Sequence, residues 1–311
     1  MVEKEPKDRY DVVVVGGGPA GLAAAIYTAR QGLSTAIIAG ELGGQTQWAS
    51  HVENYLGFEL IAGSELADRF RAHARGFDID TFEGRYADAV VPSDGCFEVH
   101  SREGLQLRGR ALIIASGRAP VRLSVPGEKE LVGRGVSYCA YCDAAFFRGR
   151  PVAVIGPGEA AAEAALQLAA LDARVILVSE QELRAPRTLL GKLAADPHVE
   201  TRTGLRAKRI EGVDHVTALV VQDDAEKELS LPVDAVFIEA GSIPAEELTG
   251  GLVRVNDAGE VEVGRDLMTS RPGIFAAGDV TDAPGKQIII AAGDGARAGV
   301  AAAKWLQRQE R

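Results

Sequence analysis

The chain has 311 residues, 46% hydrophobic and 25% charged, enough for about two domains with well-filled cores. Its net charge of −10 argues against nucleic acid or an anionic membrane as the main partner, and no window approaches the roughly 18 apolar residues of a membrane span. Three cysteines are too few, and odd in number, for a disulfide framework, and Met1 to Asp11 is charged without a signal-peptide core, so a cytoplasmic protein is expected.

Tyr10 to Val15 is a short apolar run, the pattern of a strand buried on both faces. It enters Gly16-Gly17-Gly18-Pro19-Ala20-Gly21. Leu22 to Gln31 then has helical composition, and Ser34 to Ala39 reads as a second strand. Strand, G-x-G-x-x-G, helix and strand form a dinucleotide-binding fingerprint. Gly16 makes the tight turn, Gly18 lets the backbone approach a pyrophosphate, and Gly21 allows close helix–strand packing. The helix start at Pro19 and Ala20 brings unpaired N–H groups and partial positive charge to the diphosphate.

In Gly40-Glu41-Leu42-Gly43-Gly44-Gln45, Glu41 lies about where a ribose-binding acid is expected; a solvated turn carboxylate is the alternative. Val52-Glu53-Asn54-Tyr55-Leu56-Gly57 follows, then a helical stretch from Gly63 to Gly76. Short alternating segments from Asp78 to Arg110 read as antiparallel strands, with Cys96 a buried structural thiol. Ala111 to Ala115 is a further apolar strand. The break at Ser116-Gly117-Arg118-Ala119-Pro120 reads as a domain crossing.

Next comes Ser137-Tyr138-Cys139-Ala140-Tyr141-Cys142-Asp143. Two cysteines at this spacing can close a small disulfide ring and reopen it by two-electron chemistry. A closed metal site wants four ligands, and no histidine lies near the pair. Redox chemistry is therefore expected, with a structural disulfide or a metal site as the alternatives.

Arg150 to Ile155 leads into Gly156-Pro157-Gly158-Glu159-Ala160-Ala161, an alanine-rich helix from Ala162 to Leu171, and a strand from Arg174 to Val178. This unit repeats the plan of the first. Pro157 removes a backbone donor, and Ala161 takes the third glycine's place, which the fingerprint tolerates. A carboxylate at Glu180, just past the strand, suits a free ribose 2′-hydroxyl and repels a 2′-phosphate. Gly156, Gly158, Glu159, Ala160 and Glu180 form a second candidate nucleotide site, either used or retained as scaffold.

Strands continue to Glu239, and Ala240-Gly241-Ser242-Ile243-Pro244 reads as a second crossing. Gly273 to Val280 contains an apolar strand ending in Gly278-Asp279. Asp279 there can accept from a sugar or ribitol hydroxyl, or cap a helix. Lys286-Gln287-Ile288-Ile289-Ile290 and a final helix, about Gly293 to Gln307, complete the pattern.

From Tyr10 to Trp305 these motifs together resemble the low-molecular-weight thioredoxin reductase family, the class II FAD-dependent disulfide reductases. The matching residues are Gly16 to Gly21, Gly43 to Gln45, Val52 to Tyr55, Cys139 to Asp143 and Phe275 to Asp279. The resemblance implies an α/β protein with two Rossmann-like, three-layer ββα nucleotide-binding domains, the second inserted into the first. Residues 1–117 and 243–311 would bind FAD, and residues 118–242 would form the NAD(P)H-binding-like domain that carries the cysteines. It assigns FAD contacts to Gly16, Gly18, Pro19, Ala20, Gly21, Glu41, Gly44, Gln45, Asn54, Gly117, Gly278, Asp279, Lys286, Gln287 and Ile288. It further implies that Cys142 faces the flavin, that Cys139 attacks the partner disulfide, and that Asp143 is the acid–base group. The inserted domain would rotate about hinges near Gly117 and Gly241, and the protein would be a homodimer.

Two departures from the family bear on the donor. Where NADPH-dependent members carry His-Arg-Arg, this chain has Ser179-Glu180-Gln181, with Arg184 the one candidate for a later arginine. Glu159 also puts a carboxylate near the diphosphate. NADPH is therefore not expected, and the second site would take NADH or a second FAD. The chain looks more like the NADH-dependent flavoprotein component of alkyl hydroperoxide reductase, or like ferredoxin- and flavin-linked thioredoxin reductases. The expected function is a cytoplasmic disulfide reductase that passes two electrons through flavin and Cys139–Cys142 to a thioredoxin-like protein, with NADH, ferredoxin or a second flavin as donor. A flavin-dependent dithiol oxidase and a non-enzymatic flavin redox sensor are the alternatives.

Overall fold

The computed structural model describes residues 5–49, 51–118, 120–241 and 246–310. The chain divides into two units, Met1–Arg118 with Pro244–Arg311, and Ala119–Ile243. Ala119 of the first expected crossing, and Ser242, Ile243 and Pro244 of the second, lie outside the described residues.

The first unit begins with β1 (Tyr10–Val15), α1 (Pro19–Ala29) and β2 (Thr35–Ala39). Pro19 opens α1, where its missing N–H would have had no helical partner. A 3-10 turn at Gly44–Trp48 follows, then α2 (Gly63–Ala74), β3 (Ile79–Glu83), β4 (Ala87–Ser93), β5 (Cys96–Ser101) and β6 (Gln106–Ile114). The second unit runs through β7 (Val136–Ser137), α3 (Ala140–Asp143), β8 (Pro151–Ile155), α4 (Glu159–Ala169), β9 (Arg174–Ser179), α5 (Arg187–Ala195) and β10 (Val199–Thr203). It continues with β11 (Arg206–Gly212), β12 (Val216–Gln222), β13 (Glu228–Pro232) and β14 (Ala235–Ile238). The chain then returns to the first unit with α6 (Glu246–Thr249), β15 (Ile274–Ala276) and α7 (Ile288–Gln309).

In the first unit the strand order is β3-β2-β1-β6-β5-β4, with β15 also on β6. The β3, β2, β1, β6 and β15 strands are parallel, and β4-β5-β6 is an antiparallel meander. Here the sequence expectation needs one correction. The segment from Ile79 to Glu83 is not antiparallel but extends the parallel sheet beside β2. An edge strand alternates buried and exposed residues whatever its direction, as Ile79–Glu83 does, so alternation misled the reading.

Val12, Val14, Ile37 and Ile113 face α1 and α7, while Val13, Val15, Ile38 and Ile114 face the opposite layer with Phe82, Phe97 and Val261. Burial on both faces is why these strands read as unbroken apolar runs. Each such Val or Ile, fully buried, contributes roughly 1.5–3 kcal/mol. The α1 and α7 helices approach through small residues. A Cβ on Gly295 would lie 2.0 Å from the Ala20 carbonyl oxygen, and one on Gly299 would lie 2.8 Å from that of Ala24. The α7 helix starts at Ile288 rather than near Gly293. Three successive isoleucines disfavour a helix locally, but Ile288 packs against the Val52, Ile61 and Leu66 cluster, and tertiary contact overrides the propensity.

The second unit has three layers. A parallel sheet in the order β10-β9-β8-β14-β7 lies in the middle. On one face Val152, Val154, Leu177 and Phe237 pack with residues of α3, α4 and α5. On the other, Ala153, Ile155, Val236 and Ile238 meet the antiparallel β11-β12-β13 sheet through Ile210, Leu219 and Leu231. Both units thus have the strand order of a nucleotide-binding fold, whose ligand edge is at the carboxyl ends of the parallel strands. No described helix is long and apolar enough to cross a membrane.

Candidate functional site

In the second unit, β7 delivers the chain to the cysteines. Ser137 is buried, and its hydroxyl accepts from the Cys139 N–H at 3.1 Å and donates to the Cys139 carbonyl at 3.3 Å. Cys139 then caps α3, with the Cys142 N–H donating to its Sγ at 3.2 Å. Cys139 and Cys142 are disulfide-bonded, their Cα atoms 5.3 Å apart. Cys142 is exposed and Cys139 half-buried. An N–H aimed at Cys139 Sγ is a donor that stabilises a thiolate there once the bond opens. Asp143 ends the same turn, half-buried.

Sequence reasoning missed two carboxylates that meet this loop. The Ala140 N–H, between the cysteines, donates to Oε1 of Glu239 at 3.3 Å. Tyr138, directly before Cys139, donates its hydroxyl to the buried Glu128 at 2.7 Å. Burial, and then the Glu128 carboxylate, push the Tyr138 phenol well above its ordinary pKa. Neither acid belongs to a local motif. Glu239 is 99 residues from Ala140, and only the pairing of β14 with β7 and β8 brings it there.

The glycine turn after β8 keeps its geometry. A Cβ on Gly156 would sit 2.2 Å from the Glu239 carbonyl oxygen, while the Cβ direction of Gly158 is open. Glu159 and Ala160 are exposed in the first turn of α4, and Glu180 is exposed just past β9. The Arg184 N–H donates to the Pro157 carbonyl at 2.7 Å, and its guanidinium donates to Gln181 at 2.8 Å. Ser179 holds Gln181 from below, accepting its N–H at 3.2 Å and donating to its carbonyl. The edge therefore presents the exposed Glu180 carboxylate beyond β9, and the nearby Arg184 is engaged with Gln181.

In the first unit the glycine turn after β1 can hold a dinucleotide diphosphate. Gly16 has φ +113, and a Cβ there would lie 2.1 Å from the Ala115 carbonyl oxygen; one on Gly21 would lie 1.9 Å from that of Gly16. The Cβ direction of Gly18 is open, and α1 has no acidic residue in its first turn at Pro19 and Ala20. Gly43 donates its N–H to the Gly17 carbonyl at 2.7 Å, so the Gly43-Gly44 turn rests on the first one. Gln45 donates to the Arg118 carbonyl at 2.8 Å, beside Gly117. Glu41 is exposed after β2, within reach of the Gln47 amide.

Gly278 and Asp279 lie at the end of β15, with Gly278 against Ala20. Burial raises the Asp279 carboxyl pKa against the opposing pull of Lys286 and Arg118. Asn54 donates to the Gln287 side chain at 2.9 Å, across 233 residues, and Ile288 opens α7. The Lys286 ammonium is held by the carbonyls of Thr281 and Ala283 and by Glu260. Glu260, which no motif marked, also pairs with Arg118 at 2.8 Å and accepts from Asn256 at 2.9 Å. Burial pushes its carboxyl up, but Asn256, Lys286 and Arg118 outweigh that and hold it low. The fold thus brings Gly17 to Gly43, Gln45 to Arg118, Gly278 to Ala20 and Asn54 to Gln287. Among the described residues no cluster of His, Cys, Asp or Glu is arranged to hold a metal ion.

A family model described as pyridine nucleotide-disulphide oxidoreductase matches residues 10–309. The F component of alkyl hydroperoxide reductase in Staphylococcus aureus is 38% identical over 308 residues; the match covers 98% of this chain and 61% of that protein. Among solved structures, thioredoxin reductase from Streptococcus pyogenes superposes with a TM-score of 0.89 at 33% identity, covering 96% of this chain and 99% of that one. Thioredoxin reductase from Giardia duodenalis gives 0.89 at 29% identity, covering 97% of this chain and 100% of the other.

Proposed function

Because the chain belongs to the pyridine nucleotide-disulphide oxidoreductase family, we propose that it is an FAD-dependent disulfide reductase whose Cys139–Cys142 pair reduces a thioredoxin-like protein. The observation that carries this is the disulfide itself, held on a short turn with a backbone N–H on Cys139 Sγ and with Cys142 exposed. Residues 1–117 and 243–311 would form the FAD-binding domain, and the glycine turns there would hold FAD, which would supply the electron pair that returns the disulfide to the dithiol.

This chain's residues do the rest. The Cys139 thiolate attacks one sulfur of the partner disulfide, forming a mixed disulfide and releasing the other partner sulfur as thiolate. Cys142 then attacks Cys139 Sγ, frees the second partner thiol and re-forms the Cys139–Cys142 bond. The Cys142 N–H steadies charge on Cys139. Asp143 exchanges the protons that these thiols lose and gain. Gly16 to Gly21, Gly44, Gln45, Gly117, Asp279 and Gln287 bind and orient the cofactor. The enzyme is further proposed to be a cytoplasmic homodimer with hinges near Gly117 and Gly241.

For the donor we propose NADH at the second turn, residues Gly156 to Ala160. Glu180 at the β9 edge favours a free ribose hydroxyl, and Ser179 and Gln181 offer no cation for a 2′-phosphate. The flavin-loaded protein should be titrated anaerobically with NADH and then NADPH, and offered a thioredoxin-like protein disulfide. Bleaching of the flavin band by NADH, followed by thiol release, is expected. Bleaching by dithionite alone moves the donor to ferredoxin or a second flavin. A dithionite-reduced enzyme that releases no partner thiols overturns the reductase assignment.

A further inference from the structure

Four parallel strands of the second unit end side by side at one edge. Beyond β9 is Glu180, beyond β8 the Gly156 turn, and beyond β7 the cysteines. Between those last two ends β14, and its next residue is Glu239. The Glu239 N–H donates to the Ile155 carbonyl at 2.8 Å, which fixes its backbone to β8. Its carboxylate turns the other way and accepts the Ala140 N–H at 3.3 Å, inside the Cys139-Ala140-Tyr141-Cys142 turn.

That turn must carry negative charge in one redox state only. In the disulfide both sulfurs are neutral. Reduction breaks the S–S bond, adds two electrons and two protons and leaves two thiols, one of which becomes the nucleophilic thiolate by losing its proton. The Cys142 N–H on Cys139 Sγ favours that charge. A carboxylate on the adjacent N–H opposes it. Whatever destabilises the reduced form makes the couple a stronger reductant, the reverse of a couple whose reduced form is stabilised.

We infer that Glu239 is a positioning residue that holds a negative charge against the cysteine turn and so makes the Cys139–Cys142 couple more strongly reducing. It rests on the proposal that the pair cycles between disulfide and dithiol. Glu239 anchors the turn through Ala140 and tunes it through charge, and these two roles separate by substitution. Glu239→Gln keeps an oxygen that can accept the Ala140 N–H but removes the charge. Glu239→Asp keeps the charge with a shorter reach.

The test uses the flavin-loaded protein equilibrated in graded mixtures of dithiothreitol and its cyclic disulfide, the couple that supplies or takes the electron pair. After an acid quench the cysteines are alkylated, and the Cys139–Cys142 peptide is quantified by mass. Glu239→Gln should shift the exchange constant about tenfold toward the dithiol, about 30 mV for a two-electron couple, with Glu239→Asp remaining near the wild type. Retained flavin and an unchanged circular dichroism spectrum establish that the variants fold; Glu239→Ala replaces the Gln variant should it not fold. A reversible wild-type couple whose constant Glu239→Gln leaves unchanged overturns the inference and leaves the reductase proposal standing. A pair that cannot be reduced and reoxidised in the native protein overturns both.

Discussion

The Tyr138 hydroxyl donates to Oε1 of Glu128 at 2.7 Å, and the same carboxylate collects the N–H groups of Leu123, Ser124 and Val125 at 3.2, 2.6 and 3.4 Å. One buried side chain, 3% exposed, thus ties the start of the second unit to the residue before Cys139. Removing it as Glu128→Ala strands several donors, each left unpaired at a cost of about 1–3 kcal/mol. Tyr138→Phe should cost about 2 kcal/mol, the value of one bond to a charged acceptor. Chemical denaturation measures both, and a Tyr138→Phe protein as stable as the parent would show the bond to be unimportant.

Replacing either active cysteine should stop disulfide turnover without loss of flavin. Cys139→Ser removes the attacking thiol and Cys142→Ser the resolving one. Cys96→Ala, at a buried free cysteine in the other unit, should leave turnover unchanged. Thiol release from a thioredoxin-like substrate is the readout. Retained turnover in either serine variant would falsify the assigned roles.

Two glycines of α7 should respond oppositely to alanine. Gly295 has the Ala20 carbonyl oxygen 2.0 Å from its Cβ position, whereas Gly293 is exposed with nothing within 4 Å. Gly293→Ala should stabilise by about 0.5–1 kcal/mol through lower unfolded-state entropy. Gly295→Ala should lose about 1–3 kcal/mol to overpacking and weaken flavin retention, because Ala20 lies in the first turn of α1. Melting temperature and flavin release on dilution report the two effects. Equal melting temperatures for the pair would mean that the helices can separate freely.

Alkaline stability should depend on Tyr10. Burial, with Asp80 nearby, pushes its phenol up to about 12 against the opposing bond from the Lys7 N–H, and the hydroxyl donates to Asp80 at 3.0 Å. A folded pKa above the unfolded value of about 10 means stability that is full below pH ~10 and lost as pH rises toward 12. Tyr138 acts with the same sign. Tyr10→Phe should therefore be weaker than wild type near neutral pH but lose less between pH ~9 and ~11. Identical losses in both proteins would remove Tyr10 from the account.

Thr46 is 3% exposed, and among the described residues its hydroxyl oxygen has no hydrogen-bond partner. A buried polar group left unpaired costs about 1–3 kcal/mol. Thr46→Val, of the same shape, should raise stability by about 1 kcal/mol, read as a higher denaturation midpoint with unchanged slope. A lower midpoint would reveal a bond from the hydroxyl that the valine cannot replace.

The sequence by itself determined the plan of the fold and the chemistry on offer. Strands buried on both faces read as apolar runs, so β1, β2, β8 and β9 were legible at nearly their observed limits. The glycine turns and the cysteine pair are local, their residues a few positions apart, and backbone sterics alone restrict what they can be. The direction of β3 and the start of α7 at Ile288 were not legible, because sheet pairing and packing outweigh local propensity there. Nor were the carboxylates that surround the motifs. Glu239 reaches Ala140 across 99 residues, and Glu260 reaches Arg118 across 142. A carboxylate carries no local pattern that distinguishes a solvated side chain from a partner of a buried N–H or cation. Only the tertiary structure decides that, by what it brings within about 3 Å.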